Sequence, residues 1–383
     1  MNKYIFIFFL INRLLCNWEQ IEFPNNGVNG ILFDNHDIYM IDMSGNVFQS
    51  SNNGESWSQF SEISNILPYG LDVFKKIGNY LLVMQNTFEG VNFFRYYFYE
   101  QEWEEIDFSF TNVYDAIHHN EELYVLSNNN IIKSDDYGSS WDIIENPLDS
   151  GYPHLLLVNE SDIYINYGCN LFKASTSNYL WQDITDNLDL IGPPEPYICS
   201  TILDLTFFYN ELIVSVYWSG GIGTLLSGGG NESVWFELES FPAENFDGYK
   251  YSVSDILFKD GVLYSGTATS QNGIFYTNNL IDWVEYSDGL ESYDLSVTEL
   301  YSTNENIFKH GGTVNFYKNN LVDILIENLG DINEDENIDI LDVIESIGLI
   351  LNDEYNILAD MNYDGIVNIL DIIEIIQSIL NLS

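Results

Sequence analysis

The sequence predicts an all-β seven-bladed β-propeller followed by a small all-α unit, and three observations carry that reading. Seven of the eight tryptophans recur at intervals of 38 to 54 residues. Between them the same three apolar strand patterns return, separated by polar turns. After Gly330 the composition changes abruptly into a duplicated acidic pattern, and no Lys or Arg occurs beyond Lys318.

The chain begins Met1-Asn2-Lys3 and continues with an apolar run, Tyr4 to Ile11, too short to span a bilayer. A short basic start before such a run is the form of a secretory signal peptide, so residues 1–17 are expected to be a leader and the product to be extracellular, secreted or held at the cell surface. No later stretch has the length of apolar sequence that a membrane helix needs. The formal charge is -48, from 59 acidic against 11 basic residues. Phosphate neutralisation needs clustered Lys and Arg, so a nucleic-acid partner is excluded, and an anionic membrane surface is disfavoured for the same reason.

Residues 18–328 read as one unit repeated. Trp18, Trp57, Trp103, Trp141, Trp181, Trp235 and Trp283 each open a short strand. Ahead of each marker lie two apolar strands around a polar turn, such as Ile31-Leu32-Phe33 and Ile38-Tyr39-Met40, and then a third, such as Val47-Phe48. Short strands with Gly, Asn and Asp between them are antiparallel meanders. One four-stranded sheet buries little by itself, so the sheets must stack in a ring whose closure protects their edges. Either the strand at Trp18 or the one at Leu321 could complete the last blade, and Trp18 is preferred.

The stretch from Asn130 to Trp141 contains Ser134, Asp136, Gly138 and Ser140 in a tight turn ending on the Trp. Ser and Asp side chains can bond their own backbone there, and Gly can take positive φ. A second copy runs from Ser50 to Trp57 with Asn52 in the Asp position, and degenerate copies precede Trp181 and Trp283, with Thr176 and Asn178 standing where the Asp would. This pattern is that of an Asp box and resembles the bacterial-neuraminidase repeat family of β-propellers. Sialidases of that family hold their substrate carboxylate with three arginines. Here only Arg95 lies beyond the leader, which argues against that activity.

In a propeller the loops that lead into each blade, and those between its second and third strands, share one face, called upper below. Binding sites are expected on that face. Tyr69, Tyr114, Tyr152, Tyr197, Tyr249 and Tyr293 fall in the leading loops, and Trp218 stands beside Tyr217 after a second strand. Aromatic rings on a rigid scaffold can stack on sugar faces, so Trp218, Tyr217, Tyr152 and Tyr197 are the candidate glycan-binding residues; the alternative is that these rings fill blade interfaces. Asp72, Asp115, Asp149, Glu195, Asp247, Asp288 and Asp294 lie near the same face, and a glycosidase acting on neutral sugar would need two of them. Cys169 and Cys199 fall there too, either as a disulfide or as two buried thiols.

Residues 329–383 carry two copies of one loop pattern. The first is Asp331, Asn333, Asp335, Asn337, Asp339 and Asp342; the second is Asp360, Asn362, Asp364, Ile366, Asn368 and Asp371. Oxygen ligands at positions one, three, five, nine and twelve, with a backbone carbonyl at seven, suit calcium. Gly365 supplies the sharp turn at position six of the second loop; Glu336 stands there in the first, which should weaken that site. An apolar helix follows each loop. Duplicated, EF-hand-like loop-helix units ending in Asp, 29 residues apart, resemble a type I dockerin. That resemblance implies two calcium ions, metal-dependent folding and docking to a cohesin-type module within polysaccharide-degrading machinery. Ile340, Leu341, Ile369 and Leu370 occupy the positions that would meet the partner. The best-known cohesin binders carry hydroxyl groups there, so the resemblance leaves the partner open, and a cell-surface scaffold is an alternative.

Three functions follow: a non-catalytic glycan- or protein-binding component carried by the calcium unit, a glycoside hydrolase of neutral polysaccharide, or a structural and adhesive surface protein.

Overall fold

The computed structural model describes residues 17–381 apart from 25–26, 69, 129, 149–152, 160, 168, 186–200, 210, 220–221, 229–234, 243–251, 269–271, 312, 323–328, 334–336, 353–355, 357 and 362–365. The leader expected over residues 1–17 lies almost wholly outside the described residues. The strands form seven four-stranded antiparallel sheets. Six run in chain order, as in β2 (Val28–Asp34), β3 (Asp37–Asp42), β4 (Asn46–Ser50) and β5 (Ser58–Glu62). The last blade is composite: β26 (Glu299–Ser302), β27 (Asn306–Gly311) and β28 (Thr313–Asn320) take their fourth strand from β1 (Glu19–Gln20), with Glu19 opposite Lys318. The Trp18 strand therefore closes the ring, while Leu321 packs beside Trp18 in an apolar cluster.

The innermost strands are β2, β6 (Val73–Ile77), β10 (Val113–His119), β14 (Pro153–Val158), β18 (Thr201–Phe208), β22 (Val253–Lys259) and β26. They touch in cyclic order around one axis. Apolar clusters lie between neighbouring blades rather than within one, as where Leu126 meets Ile165 and where Ile38 meets Phe308. Alternate residues of each second strand are buried on both sides, which is why those strands read as continuous apolar runs.

The recurrent Trp does more than start a strand. Its indole N–H reaches back to the outer strand region of the preceding blade: Trp57 to the Glu22 carbonyl (3.1 Å), Trp103 to Ser61 Oγ (2.9 Å), Trp181 to the Glu145 carbonyl (2.7 Å) and Trp235 to the Ile184 carbonyl (3.0 Å). Trp283 bonds Ser240 Oγ and Trp18 bonds the Tyr286 carbonyl, which brings the pattern round to the closure. Trp141 is the exception, since its buried N–H has no acceptor. It packs instead on Phe93 and Phe108. A large ring with one donor fits this place because it fills the interface and still satisfies a strand-end carbonyl.

The turn at 134–141 has the expected chemistry. Gly138 N–H donates to Ser134 Oγ (2.8 Å), Ser140 N–H donates to Asp136 Oδ1 (2.8 Å), and Gly138 adopts φ +89°. Burial would raise the Asp136 pKa, but hydrogen bonds from the Ser140 hydroxyl and N–H and from the Ser134 hydroxyl outweigh it and hold the carboxyl below its ordinary range. Asn52 does the same work in blade 1, accepting from Ser56 N–H at 2.9 Å. The degenerate copies differ from expectation. Asn178 accepts from Leu180 N–H, but Thr176 bonds outward to the Ser161 carbonyl. Before Trp283 the closing acceptor is Asn279, which takes both Ile281 and Asp282 N–H. Both turns are one residue shorter before the Trp; Asn279 keeps the place two residues after Thr277, while Asn178 stands three after Ser175.

The C-terminal unit has two helices, α1 (Ile340–Asn352) and α2 (Ile369–Asn381), joined by a small core of Ile332, Val343, Ala359, Val367, Ile372 and Ile375. A backbone bond from Gly330 N–H to the Leu358 carbonyl links the two loops. Among the described residues no helix is long and apolar enough to cross a membrane.

Candidate functional site

The two acidic loops fold in matching ways. Asp342 Oδ1 accepts the N–H groups of Ile332 (2.8 Å) and Asn333 (3.2 Å), and Oδ2 accepts Asp339 N–H (2.8 Å). Twenty-nine residues on, Asp371 Oδ1 accepts Met361 N–H (2.9 Å) and Oδ2 accepts Asn368 N–H (2.8 Å). Asp339 and Asn368 cap the helices, bonding Leu341 and Leu370 N–H. A capping box explains positions nine and twelve without any metal. It does not explain Asp331 and Asp360, which are 2% and 0% exposed and stand eleven residues before Asp342 and Asp371, also fully buried. Four buried carboxylates in a segment without Lys or Arg are what a divalent cation would balance, so the donor set fits calcium. Asp335, Asn362 and Asp364 lie outside the described residues; Asn333, Asn337 and Ile366 stand in the loops at the expected positions. Ile340, Leu341, Ile369 and Leu370 are all at least half exposed, and Ile344, Ile347, Ile373 and Ile376 extend the same apolar surface.

On the propeller, the sugar platform is only partly visible. Tyr152, Tyr197 and the Trp218 side chain lie outside the described residues, and Tyr217 is half-buried. Tyr114 turns inward, bonding Asn128 and packing on the core between blades 3 and 4, as the interface-filling alternative expects. Tyr293 is exposed. Cys169 is disulfide-bonded, and its partner lies outside the described residues.

The axis holds what the sequence reading missed. Asp115, Asp204 and Asp255 occupy equivalent bulges near the start of β10, β18 and β22. Each accepts an N–H from the innermost strand of the next blade: Asp115 from Leu156 (3.1 Å), Asp204 from Ile256 (2.7 Å) and Asp255 from Leu300. These are blade clips, which gives Asp115 a structural task. A recurrent signal was present in Val113-Tyr114-Asp115, Ile202-Leu203-Asp204 and Val253-Ser254-Asp255. Burial raises all three pKa values, that of Asp204 to about 6. Asp204 and Asp255 also hydrogen-bond each other, so the pair retains a proton above the usual carboxylate range.

Beside Asp115 a cavity of about 920 Å³ lies at the seam of blades 7, 1 and 2. Phe33 stacks on Tyr301 (4.6 Å between centroids) and His310 stacks on Phe316 (4.4 Å) along its wall. Tyr301 donates to Glu299, and Glu22, Asp72, Lys75, Asp115 and Asn315 are among the polar lining residues. Burial lowers the His310 pKa, so its ring is neutral at pH 7.

No protein family matches the chain, and no curated protein matches it. Solved structures do. The chain is similar to the extracellular domain assigned to a one-component system of B. thetaiotaomicron, at 14% identity and a TM-score of 0.60. It covers 84% of this chain but only 42% of that one. A GH74 xyloglucanase from Xanthomonas campestris is similar over 81% of this chain and 54% of its own, at 13% identity and a TM-score of 0.57. Virginiamycin B lyase from Staphylococcus aureus is similar over 80% of this chain and 99% of its own, at 12% identity and a TM-score of 0.59. At these identities the likeness shows the fold alone.

Proposed function

We propose that this chain is an exported, non-catalytic component of polysaccharide-degrading machinery. In this reading the propeller binds glycan or protein. Residues 329–383 form a dockerin that takes two calcium ions and docks onto a cohesin-type module or a cell-surface scaffold. The observation that carries the reading is the repetition of one carboxylate arrangement, Asp331 with Asp342 and Asp360 with Asp371, in a segment that holds no basic residue. Calcium would supply the positive charge that lets those carboxylates stay ionised and buried, and so would contribute folding energy. Asp331, Asn333, Asp335, Asp339 and Asp342 would hold one ion; Asp360, Asn362, Asp364, Asn368 and Asp371 would hold the other, with the carbonyls of Asn337 and Ile366. Exposed apolar residues on both helices, begun by Ile340-Leu341 and Ile369-Leu370, then offer a partner an apolar surface to dock on. Likeness to an extracellular propeller domain agrees with export.

Titration calorimetry of the full chain with calcium should find two sites, the first weaker because of Glu336. Calcium-dependent capture by a panel of cohesin modules should follow. A chain that binds no calcium would remove the dockerin.

A second reading, hydrolysis of a neutral polysaccharide, is favoured by the similarity to a xyloglucanase, although the chain spans 54% of that enzyme. Release of reducing sugar from neutral polysaccharides separates the two.

A further inference from the structure

We infer that the cavity at the seam of blades 7, 1 and 2 is a saccharide site that receives the end of a neutral glycan. The inference rests on the reading of the propeller as a binding module, and it places the site away from Trp218.

The cavity exists because the ring is thin where it closes. β26, the innermost strand of the closing blade, is only four residues long, and Glu299 and Tyr301 from it line the cavity. At about 920 Å³ it is at the upper end of the range for small-ligand sites. It runs along the innermost strands, from Gly27, Met43 and Asp72 in loops of the upper face to Phe33 and Tyr301 near the opposite ends of β2 and β26.

Its chemistry is divided. Phe33, Tyr301 and Phe316 give apolar wall; Glu299, Lys75 and Asn315 give acceptors and donors. A pyranose is divided in the same way, with C–H faces and hydroxyl edges. The charge pattern selects among saccharides. Glu22, Asp72, Asp115 and Glu299 outnumber Lys75 in the lining, and that field repels uronates and sulfated sugars. A cationic ligand fits less well. The axial carboxyls already accept backbone N–H groups, Asp204 and Asp255 share a hydrogen bond, and Lys75 stands in the same cavity. Glu299 can therefore accept from a hydroxyl, with Tyr301 holding its carboxylate in place.

The test is calorimetry of the calcium-loaded full chain against cello-, xylo-, manno- and xyloglucan oligosaccharides, with a galacturonate oligomer as the charged competitor. At least one neutral oligomer should bind one to one. Glu299→Gln, which keeps the shape and removes the charge-assisted acceptor, should weaken it roughly tenfold. His310→Ala should weaken it as well, while Trp218→Ala should leave it unchanged. Trp57 stacks on Phe23 of the cavity wall at 5.4 Å, so its emission should report the same event. Tighter binding of galacturonate, indifference to both cavity variants at unchanged melting temperature, or no binding by any neutral oligomer would overturn the inference. Calcium titration of the same samples keeps the two proposals apart. Two intact calcium sites without sugar binding overturn only this one, and sugar binding without calcium sites overturns only the docking reading.

Discussion

Mild acid should stabilise the propeller, against the usual behaviour of an acidic protein, and Asp204 is the residue through which to measure it. Its folded pKa is raised from 3.8 to about 6, chiefly by burial. A group whose folded pKa is raised contributes stability that is complete below the unfolded pKa and lost as pH climbs through the folded one. The window is therefore pH 4 to 6, and stability falls as pH rises across it. The rise from 3.8 to about 6 is equivalent to about 3 kcal/mol. Asp204 is only partly buried by surface exposure, so solvent screens part of this, which leaves about 1–3 kcal/mol at neutral pH. Asp255 and Asp115 are shifted in the same direction and add to the slope. Asp204→Asn removes the charge but keeps one oxygen, for either the Ile256 or the Leu205 N–H, and so gives up one hydrogen bond worth about 1 kcal/mol. It should flatten the dependence of stability between pH 4 and 6. Denaturant unfolding of the full chain in a chelator, at half-unit pH steps and read by tryptophan emission, measures this without any contribution from calcium. Stability that declines steadily from pH 7 to pH 4, or an Asp204→Asn chain that keeps the parent's slope between pH 4 and 6, would refute the argument.

On the proposed calcium reading, the C-terminal unit should respond to acid in the opposite sense, because metal ligands must be ionised; chelation should remove helical ellipticity at 222 nm while the tryptophan signal of the propeller persists, and Asp371→Ala should abolish one of the two proposed sites. Lys309 is fully buried with its ammonium on the carbonyls of Asp294 and Ser296, and burial lowers its pKa from 10.5 to about 8. The unfolded chain thus holds the proton longer, so stability should rise from pH 8 towards 10, and Lys309→Met should erase that rise in chemical denaturation. Above pH 10 the trend must reverse, because buried tyrosines such as Tyr167, raised to about 12, resist ionising in the fold. Trp235→Phe strands the Ile184 carbonyl and should cost about 1 kcal/mol more than Trp141→Phe, whose indole N–H has no acceptor to lose. Non-reducing peptide mapping should recover Cys169 joined to Cys199; a Cys16–Cys169 peptide would refute that pairing.

Much of the molecule was legible because duplication writes itself into sequence. Seven Trp markers, alternating strands and two loops 29 residues apart are local periodicities, each readable within one blade or one loop. Hence the sheets, the closing strand at Trp18 and the matching fold of the two acidic loops could all be anticipated. Strand count and order need only the chain's own pattern, since each unit repeats the same hydrogen-bonding problem. The tertiary structure alone decided what happens between blades. Asp204 meets Asp255, fifty-one residues away, only because two bulges place both carboxyls at one axis. The cavity falls at blades 7, 1 and 2 because a strand from the start of the chain completes the final sheet there. Which indole finds a carbonyl likewise depends on the register of a neighbouring sheet, as the contrast between Trp235 and Trp141 records. Contacts of that kind join residues with no sequence period in common, and their energies arise from burial and packing that exist only once the ring has closed.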